Sequence, residues 1–268
     1  MLRVIVSPAK KMVSGTDSFA AQGVPSMSDR TRILLDALSD MDAAELQALW
    51  KVSDKLLGPC LDVLEDLKRD VIPTCDDDLA DPVFSARVSP AVFSYMGIQY
   101  QSMAPGVLDE GALAWLQEHL RILSGFYGCV RPFDAVLPYR LEMGAKLGVD
   151  GARDLYEFWG DAIAREVLTP GEDGHAVNTV VNLASVEYAK AVTPHLGEVC
   201  SVTCIFGEDL RDGKPVQRST ASKTARGSMV RWMAENGIDE VADLPRFNVG
   251  YTFVPELSSE SALVFMKA

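Results

Sequence analysis

The sequence predicts a mixed α/β (α+β) fold in which helices surround a mixed sheet. Short β-rich runs, such as Leu2–Val6 and the AVNTVVNL segment at 176–183, are separated by longer segments with helical spacing of apolar residues. The 268 residues are 48% hydrophobic and 8% aromatic, which is typical of a globular protein with a sizeable core. Length alone leaves open whether this core forms one large domain or two small ones.

Charge and cysteine content restrict the class of protein. The formal net charge is −13, so a nucleic acid or an anionic membrane could bind only at a local basic patch. The five cysteines form no CxxC pair and no zinc spacing, and their odd number favours a reducing compartment. No apolar run suits a signal peptide or a membrane span. We therefore expect a cytoplasmic protein with no membrane partner, no metal site and no cofactor.

The N-terminal strand, Leu2–Val6, is followed by the sequence SPAKK at residues 7–11. Loops at strand ends are favoured ligand sites in α/β folds, so Lys10 is a candidate anion-binding residue. The alternative is that Lys10 and Lys11 are simply solvated. A surface loop over residues 13–28 and a helix over residues 29–38 are predicted next.

Residues 42–69 are predicted to form a helix-hairpin-helix element. Helical spacing covers residues 42–52 and 60–69, and Gly58-Pro59 interrupts it within residues 53–59. In DNA-binding elements of this kind, hairpin amides and the next helix N-terminus hold a phosphate. Pro59 removes one amide donor, however, and the second helix is acidic. The alternative is therefore a helix pair with a packing role only.

The middle of the chain is predicted as a loop followed by two helices. Residues 74–81 carry four aspartates without the alternating spacing and glycine of a calcium loop, so we expect a solvated loop. Pro90 predicts the start of a helix. Asp109 is predicted to cap a helix over residues 109–120.

Residues 123–144 combine glycines, prolines, arginines, tyrosines and acids in an otherwise apolar stretch. Gly125 and Gly128 indicate tight turns or a close backbone approach. One interpretation is a rigid platform that presents four side chains into a cleft: Arg131, Tyr139, Arg140 and Glu142. The other is a buried ion-pair network, in which Arg131 pairs with Asp134.

The second half is predicted to contain a long helix over residues 154–168, a strand over 176–183 and a short helix over 184–190. Asn182 and Ser185 lie at the strand-to-helix junction, where such side chains either cap the helix or bind a ligand. Residues 199–206 and 214–220 are predicted as the two strands of a hairpin around Asp212-Gly213. Short strands over residues 251–254 and 263–266 complete the chain.

Residues 214–231 reverse the charge of the chain locally, with five basic residues and no acid. A helix is predicted over residues 222–235, which places Lys223 and Arg226 in its first turn. Cations there oppose the helix dipole, and a bound phosphate or carboxylate would remove that conflict. The alternative is that both pair with the surplus of acids elsewhere.

Seven segments in this order resemble the YaaA-type peroxide-stress proteins. They are VSPAK (6–10), SDKL (53–56), LRILSGFYGCVRPFD (120–134), PYRLEMG (138–144), LYEFWGD (155–161), VNLAS-x-EY-x-K (181–190) and KTARG (223–227). The resemblance implies a single domain over residues 1–268 with a central cleft and the helix-hairpin-helix element at 42–69. It also implies a cytoplasmic protein that limits peroxide damage and is associated with low free iron and DNA binding.

The resemblance carries eight residues over to the cleft: Lys10, Lys55, Arg131, Tyr139, Arg140, Glu142, Lys223 and Arg226. Thr224 stands where the family pattern has a second basic residue, which makes that patch one charge weaker.

Two hypotheses about function remain open, and the sequence does not decide whether the chain is an enzyme. In the first, the cleft and hairpin hold the phosphate backbone of duplex or branched DNA. In the second, the cleft handles a small anionic or nucleotide-like substrate, with Glu142 as acid or base and Lys10 as nucleophile, for example in base-sugar cleavage or a lyase step. Direct iron binding is disfavoured because the three histidines are dispersed.

Overall fold

A seven-stranded mixed sheet lies at the centre of the computed structural model, which describes residues 1–14, 19–69, 72–172 and 174–268. Residues 15–18 of the predicted loop at 13–28 therefore lie outside the described residues. In chain order the strands are β1 (Leu2–Val6), β2 (Lys11–Met12), β3 (Ser89–Pro90), β4 (Tyr95–Met96), β5 (Leu120–Ser124), β6 (Gly128–Val130), β7 (Ala135–Val136), β8 (Thr179–Asn182), β9 (Cys200–Gly207), β10 (Asp209–Arg211), β11 (Lys214–Val216), β12 (Tyr251–Phe253) and β13 (Ala262–Lys267).

The order of the large sheet is β12-β13-β9-β8-β1-β5-β6, and the five inner strands are parallel. Strands β12 and β6 are antiparallel to their neighbours at the two edges. Val4 in the fully buried β1 is opposite Leu120 of β5 and Val181 of β8. Because the chain leaves β1 for β5 on one side and then reaches β8 on the other, the order reverses at β1. A crevice is expected at the carboxyl ends of the strands at this point.

The helices surround the sheet, as the sequence predicts for a single α/β domain. They are α1 (Ser28–Ser39), α2 (Ala43–Trp50), α3 (Asp54–Arg69), α4 (Pro82–Ser85), α5 (Ala91–Ser94), α6 (Ile98–Met103), α7 (Glu110–His119), α8 (Leu155–Trp159), α9 (Ala162–Val167), α10 (Val186–Ala189) and α11 (Ser219–Glu235). Short 3-10 helices occupy Asp76–Ala80, Pro105–Val107, Thr193–His195, Val241–Arg246 and Pro255–Leu257. Asp109 caps α7 by accepting a hydrogen bond from the amide of Ala112, which confirms the predicted helix start.

The predicted hairpin at residues 53–59 is wrong, because α3 begins at Asp54 and continues through Gly58-Pro59. The turn between α2 and α3 is shorter and lies at residues 51–53, where Lys51 has φ of 52°. Proline at 59 frees only the carbonyl of Lys55, an exposed residue near the helix start that water can reach. The apolar stripe through Leu64 and Leu67 then holds the helix against the core.

Two other predicted elements differ in the structure. The helix predicted over residues 154–168 is divided into α8 and α9 at Gly160, where φ is +52°. Strand β9 does not form a hairpin with residues 214–220, since it pairs in parallel with β8 and β13. The hairpin is instead β10 with β11, and its turn is at Asp212-Gly213 as predicted, with φ of 53° and 74°.

Gly125 and Gly128 hold the stretch at 123–144 in place. A Cβ on Gly125 would lie 2.7 Å from the backbone oxygen of Leu141, so only glycine allows the two backbone segments to approach this closely. Gly128 has φ of +74°, and a Cβ there would lie 2.9 Å from the ring of Trp159. The buried chain from β5 to β7 thereby fixes residues 139–142 above the carboxyl ends of the strands.

Candidate functional site

A cleft of about 560 Å³ opens at the carboxyl ends of β1 and β8, where the strand order reverses. Its walls come from the loop after β1, from α6, from the segment at 139–142, from the start of α10 and from α11. The lining residues are Ser7, Pro8, Ala9, Lys10, Lys11, Met96, Gly97, Ile98, Gln99, Tyr100, Tyr139, Arg140, Leu141, Glu142, Ser185, Glu187, Tyr188, Ser219, Lys223 and Arg226.

Most of the candidate residues from the sequence converge on this cleft. The seven that line it are Lys10, Tyr139, Arg140, Glu142, Ser185, Lys223 and Arg226. Five cationic side chains and two carboxylates line it altogether, which is a formal surplus of three positive charges in a chain of net charge −13. Three of the ten candidates, Lys55, Arg131 and Asn182, do not line it.

The Arg131 side chain is 40% exposed and forms an ion pair with the buried Asp134, instead of belonging to the platform that the sequence suggested. Its Nε lies 3.3 Å from Oδ1 of Asp134, and its backbone amide donates a 2.7 Å hydrogen bond to Oδ2 of the same residue. Burial raises the pKa of Asp134 to about 6, although the nearby Arg131 opposes the rise. Strand β6 runs antiparallel to β5 and carries Arg131 away from the carboxyl ends of the strands.

Asn182 has a structural role, whereas Ser185 lines the wall of the cleft. The Asn182 Oδ1 accepts a hydrogen bond from the amide of Ala184, and its Nδ2 donates to the hydroxyl of Thr203. Ser185 donates its amide to Oγ of Ser7 at 2.8 Å, which ties the end of β1 to the end of β8. Lys55 is exposed on α3 and outside the lining.

Lys10, Arg140 and Glu142 form one charged group at the mouth of the cleft. The Lys10 Nζ lies 2.5 Å from Oε1 of Glu142, and a guanidinium nitrogen of Arg140 lies 3.6 Å from the same oxygen. Arg140 also donates a hydrogen bond to the backbone oxygen of Lys10. The Lys10 side chain is 66% exposed, whereas that of Arg140 is 18% exposed. A carboxylate and a primary amine in contact are suited to proton transfer with a bound molecule.

Lys223 and Arg226 form the second cationic group, on one face of α11. Helix α11 begins at Ser219, so both residues lie beyond the first turn, and the predicted conflict with the dipole at the helix start is wrong. The structure gives Arg226 no hydrogen bond and no ion pair within the described residues, and its Nε is buried without a partner. Burial lowers the pKa of Arg226. The alternative in which surplus acids pair with Arg226 is therefore not what the structure shows.

Tyr139 forms part of the cleft floor and is held by neighbouring hydroxyls. The Ser124 hydroxyl donates a 2.7 Å hydrogen bond to the Tyr139 hydroxyl, and the Tyr95 hydroxyl lies 3.1 Å from it. Burial raises the pKa of Tyr139 to about 12, so the phenol stays neutral at physiological pH. Its role in this geometry is a neutral, rigid wall beside Arg140 and Glu142.

Sequence reasoning missed the wall that α6 provides. The Tyr100 hydroxyl and the Gln99 side-chain amide both donate to the backbone oxygen of Ser7, at 2.9 Å and 3.3 Å. These bonds hold the loop after β1 against α6. The only signal in the sequence is Gly97, where a Cβ would lie 3.1 Å from the side chain of Ala9.

Neither a metal-binding cluster nor a membrane-spanning helix is present among the described residues. In residues 1–14, 19–69, 72–172 and 174–268, no group of three or more histidines, cysteines or acids is placed to hold a metal ion. In the same ranges, no helix combines the length and hydropathy that a membrane span requires.

Comparison with known proteins gives matches along nearly the whole chain. A family model described as peroxide stress protein YaaA matches residues 2–257. A UPF0246 protein of Pediococcus pentosaceus is 43% identical over 268 residues, which cover 99% of this chain and 98% of that protein. UPF0246 proteins of Ligilactobacillus salivarius and Lactiplantibacillus plantarum are 39% and 40% identical over 268 residues, covering 99% of this chain and 100% and 99% of theirs.

Proposed function

The chain belongs to the YaaA family of peroxide stress proteins, and we propose that it binds DNA through its cationic cleft. In this proposal it acts in the cytoplasm and limits iron-mediated damage to the DNA that it covers. Family membership supports the role in peroxide stress. The support for DNA comes from the charges of the cleft.

The observation that carries the proposal is Arg226, a largely buried guanidinium without an acidic partner among the described residues. The chain has 38 acidic and 25 basic residues, so a partner for an arginine is the ordinary outcome. Removing a charge from water without pairing it is costly. A phosphate in the cleft would place a negative charge beside the Arg226 guanidinium, and Lys223 on the same face of α11 would add a second contact.

Fluorescence anisotropy of labelled duplex and branched DNA across a range of salt concentrations tests the proposal. Each phosphate contact contributes a slope of about −0.9 to the plot of log affinity against log salt for duplex DNA. Lys223→Ala/Arg226→Ala should therefore weaken binding and make this slope shallower by about 2.

The matched control is Arg69→Ala/Arg165→Ala, which removes the same charge from exposed ion pairs with Asp66 and Asp161 that do not line the cleft. The control should bind like the wild type. Equal losses in the two double variants would mean that DNA does not use the cleft. Absence of binding by the wild type at low salt would exclude the DNA role.

A second candidate function is an enzyme that acts on a small anionic or nucleotide-like substrate in the same cleft. The contact between Lys10 and Glu142 favours it, because a DNA-binding surface has no need of a carboxylate in contact with one of its lysines. Arg140 and Arg226 would hold the anion, with Glu142 as acid or base. Base-sugar cleavage or a lyase step would connect this candidate to DNA, with Lys10 as the nucleophile.

Thermal stabilisation by nucleotides and small anions distinguishes the second candidate. A substrate at about 100 times its Kd stabilises the folded protein by about 2.7 kcal/mol. Turnover of the stabilising compound that Glu142→Gln abolishes, with binding retained, would establish the enzyme. Stabilisation without any turnover would leave the cleft as a binding site only.

A further inference from the structure

The cations of the cleft differ in how far a bulky ligand can reach them. Lys10 and Lys223 are exposed, whereas Nε of Arg226 has no contact with solvent. A cleft of about 560 Å³ is in the size range of small-molecule sites, about 300–1,000 Å³. A duplex resting on its mouth can place phosphates near the two lysines. A group about as large as one nucleotide fits this volume and can reach the part of Arg226 that lines the cleft.

Three exposed apolar side chains form a rim beside the cleft, two of them in its lining (Met96 and Ile98) and one next to it in the chain (Val186). Their exposed fractions are 38%, 38% and 87%. Met96 and Ile98 line the cleft on the side of α6, and Val186, which is not itself a lining residue, lies in the chain between the lining residues Ser185 and Glu187. Proteins that open a duplex place apolar side chains of this kind between base steps. Cations inside an apolar rim therefore match a nucleotide, which joins a phosphate to an apolar base.

We infer that the cleft takes a single unpaired nucleotide of DNA, with its phosphate on Lys223 and Arg226 and with the apolar rim against the neighbouring bases. This inference rests on the proposed DNA binding and narrows it to one class of site. An intact duplex must first lose a base pair and its stacking, whereas a bulged nucleotide is already unpaired. The protein should therefore prefer DNA with an extrahelical nucleotide.

Two hairpin DNAs that differ by a one-nucleotide bulge in the stem test the inference by anisotropy. The bulged hairpin should bind about ten-fold or more tightly than the intact one, because the unpairing cost is absent. Arg226→Gln should remove most of this preference. Arg231→Gln is the matched control on the same helix, since Arg231 pairs with Glu235 at 2.8 Å and does not line the cleft.

Val186→Ser tests the apolar rim without disturbing the core, because the side chain is almost fully exposed. Val186→Ser should reduce the preference for the bulge several-fold. If Arg226→Gln does not fold, Val186→Ser and Lys223→Ala test the inference in its place. A 5′-phosphorylated deoxynucleotide should compete with the bulged hairpin better than the same nucleoside without phosphate.

The outcomes separate this inference from the proposed function. Equal affinity for the two hairpins, lost in Lys223→Ala/Arg226→Ala, would overturn the single-nucleotide site and leave DNA binding by the cleft intact. A bulge preference that survives in Arg226→Gln and Val186→Ser would place the site elsewhere and overturn the inference. No binding to either hairpin by the wild type would overturn both.

Discussion

Gly227→Ala should push apart the two helices that form the inner walls of the cleft. Gly227 lies in α11, and its backbone packs directly on α6. A Cβ at this position would lie 2.9 Å from the carbonyl carbon of Gln99, closer still to the carbonyl oxygen, and 3.0 Å from the amide nitrogen of Met103. All three atoms are backbone, so no side-chain rotation can relieve the contact.

The size of the effect follows from these distances. Nonbonded carbons pack at about 3.5–4.0 Å, so the helices must separate by at least about 0.6 Å. Overpacking of this kind costs about 1–3 kcal/mol, and we expect the upper end because both sides are helix backbone. Alanine in a helix interior returns about 1 kcal/mol relative to glycine. The net loss is about 2 kcal/mol, which lowers the Tm of a chain of this size by about 4–8 °C.

Thermal unfolding followed by circular dichroism measures the effect. Gly111→Ala is the matched control in α7, because its Cβ would lie 3.5 Å from the nearest atom, a side-chain oxygen of Asp109. The control should melt at or slightly above the wild-type temperature. If Gly227→Ala also melted at or above that temperature, the close contact between α6 and α11 would not be a feature of the protein.

Three further perturbations concern a buried carboxyl outside the cleft and two groups of side chains that line or support the cleft. Burial raises the pKa of Asp134 from 3.8 to about 6, so the folded state retains a proton that the unfolded state releases. As the pH rises from 4 to 7, the unfolding free energy of the wild type should fall by up to about 3 kcal/mol relative to that of Asp134→Asn. Urea denaturation midpoints that change equally with pH in the two proteins would contradict this. Tyr139→Phe and Ser124→Ala should each cost about 1–3 kcal/mol, and the double variant should cost less than their sum in a double-mutant cycle, since they share one hydrogen bond. Glu142→Gln removes one of two carboxylates from the cleft, so added phosphate should raise the Tm of this variant more than that of the wild type. Phosphate should raise the Tm of Lys10→Ala less than that of the wild type. Identical Tm shifts in all three proteins would mean that phosphate binds elsewhere.

The parts of the fold that the sequence predicts well are those with strong local patterns. The apolar run Leu2–Val6 is a strand with the predicted bounds, and Asp212-Gly213 forms the predicted turn. The Gly58-Pro59 pair misled because a proline at the sixth position of a helix removes one hydrogen bond, and the carbonyl that it frees, on Lys55, is exposed to water. Propensity marks where a helix is weakened, whereas the continuing apolar stripe decides whether the helix continues.

The candidate site was predictable where charge departed from the composition of the chain. Lys223 and Arg226 stand in a basic segment of an acidic protein, and the structure brings them to the same cleft as Lys10. Arg131 and Arg140 looked equivalent in the sequence. They lie apart in the structure because β6 runs antiparallel to β5 and carries Arg131 away from the cleft. Gln99 was not predictable, since its bond to the backbone oxygen of Ser7 spans 92 residues and leaves no local pattern.

The charge of the whole chain bears on how any DNA binding will depend on salt. The net charge of −13 and the surplus of three positive charges in the cleft leave −16 on the rest of the protein. At about 0.15 M salt the screening length is about 8 Å, so the cleft acts almost alone on a phosphate that has entered it. At about 0.01 M salt the screening length is about 30 Å, and the acidic surface then repels the rest of the DNA. As salt is lowered, the affinity for long duplexes should therefore rise less steeply than the number of phosphate contacts in the cleft implies. The affinity for a short bulged hairpin should rise with a slope closer to the one that this number implies.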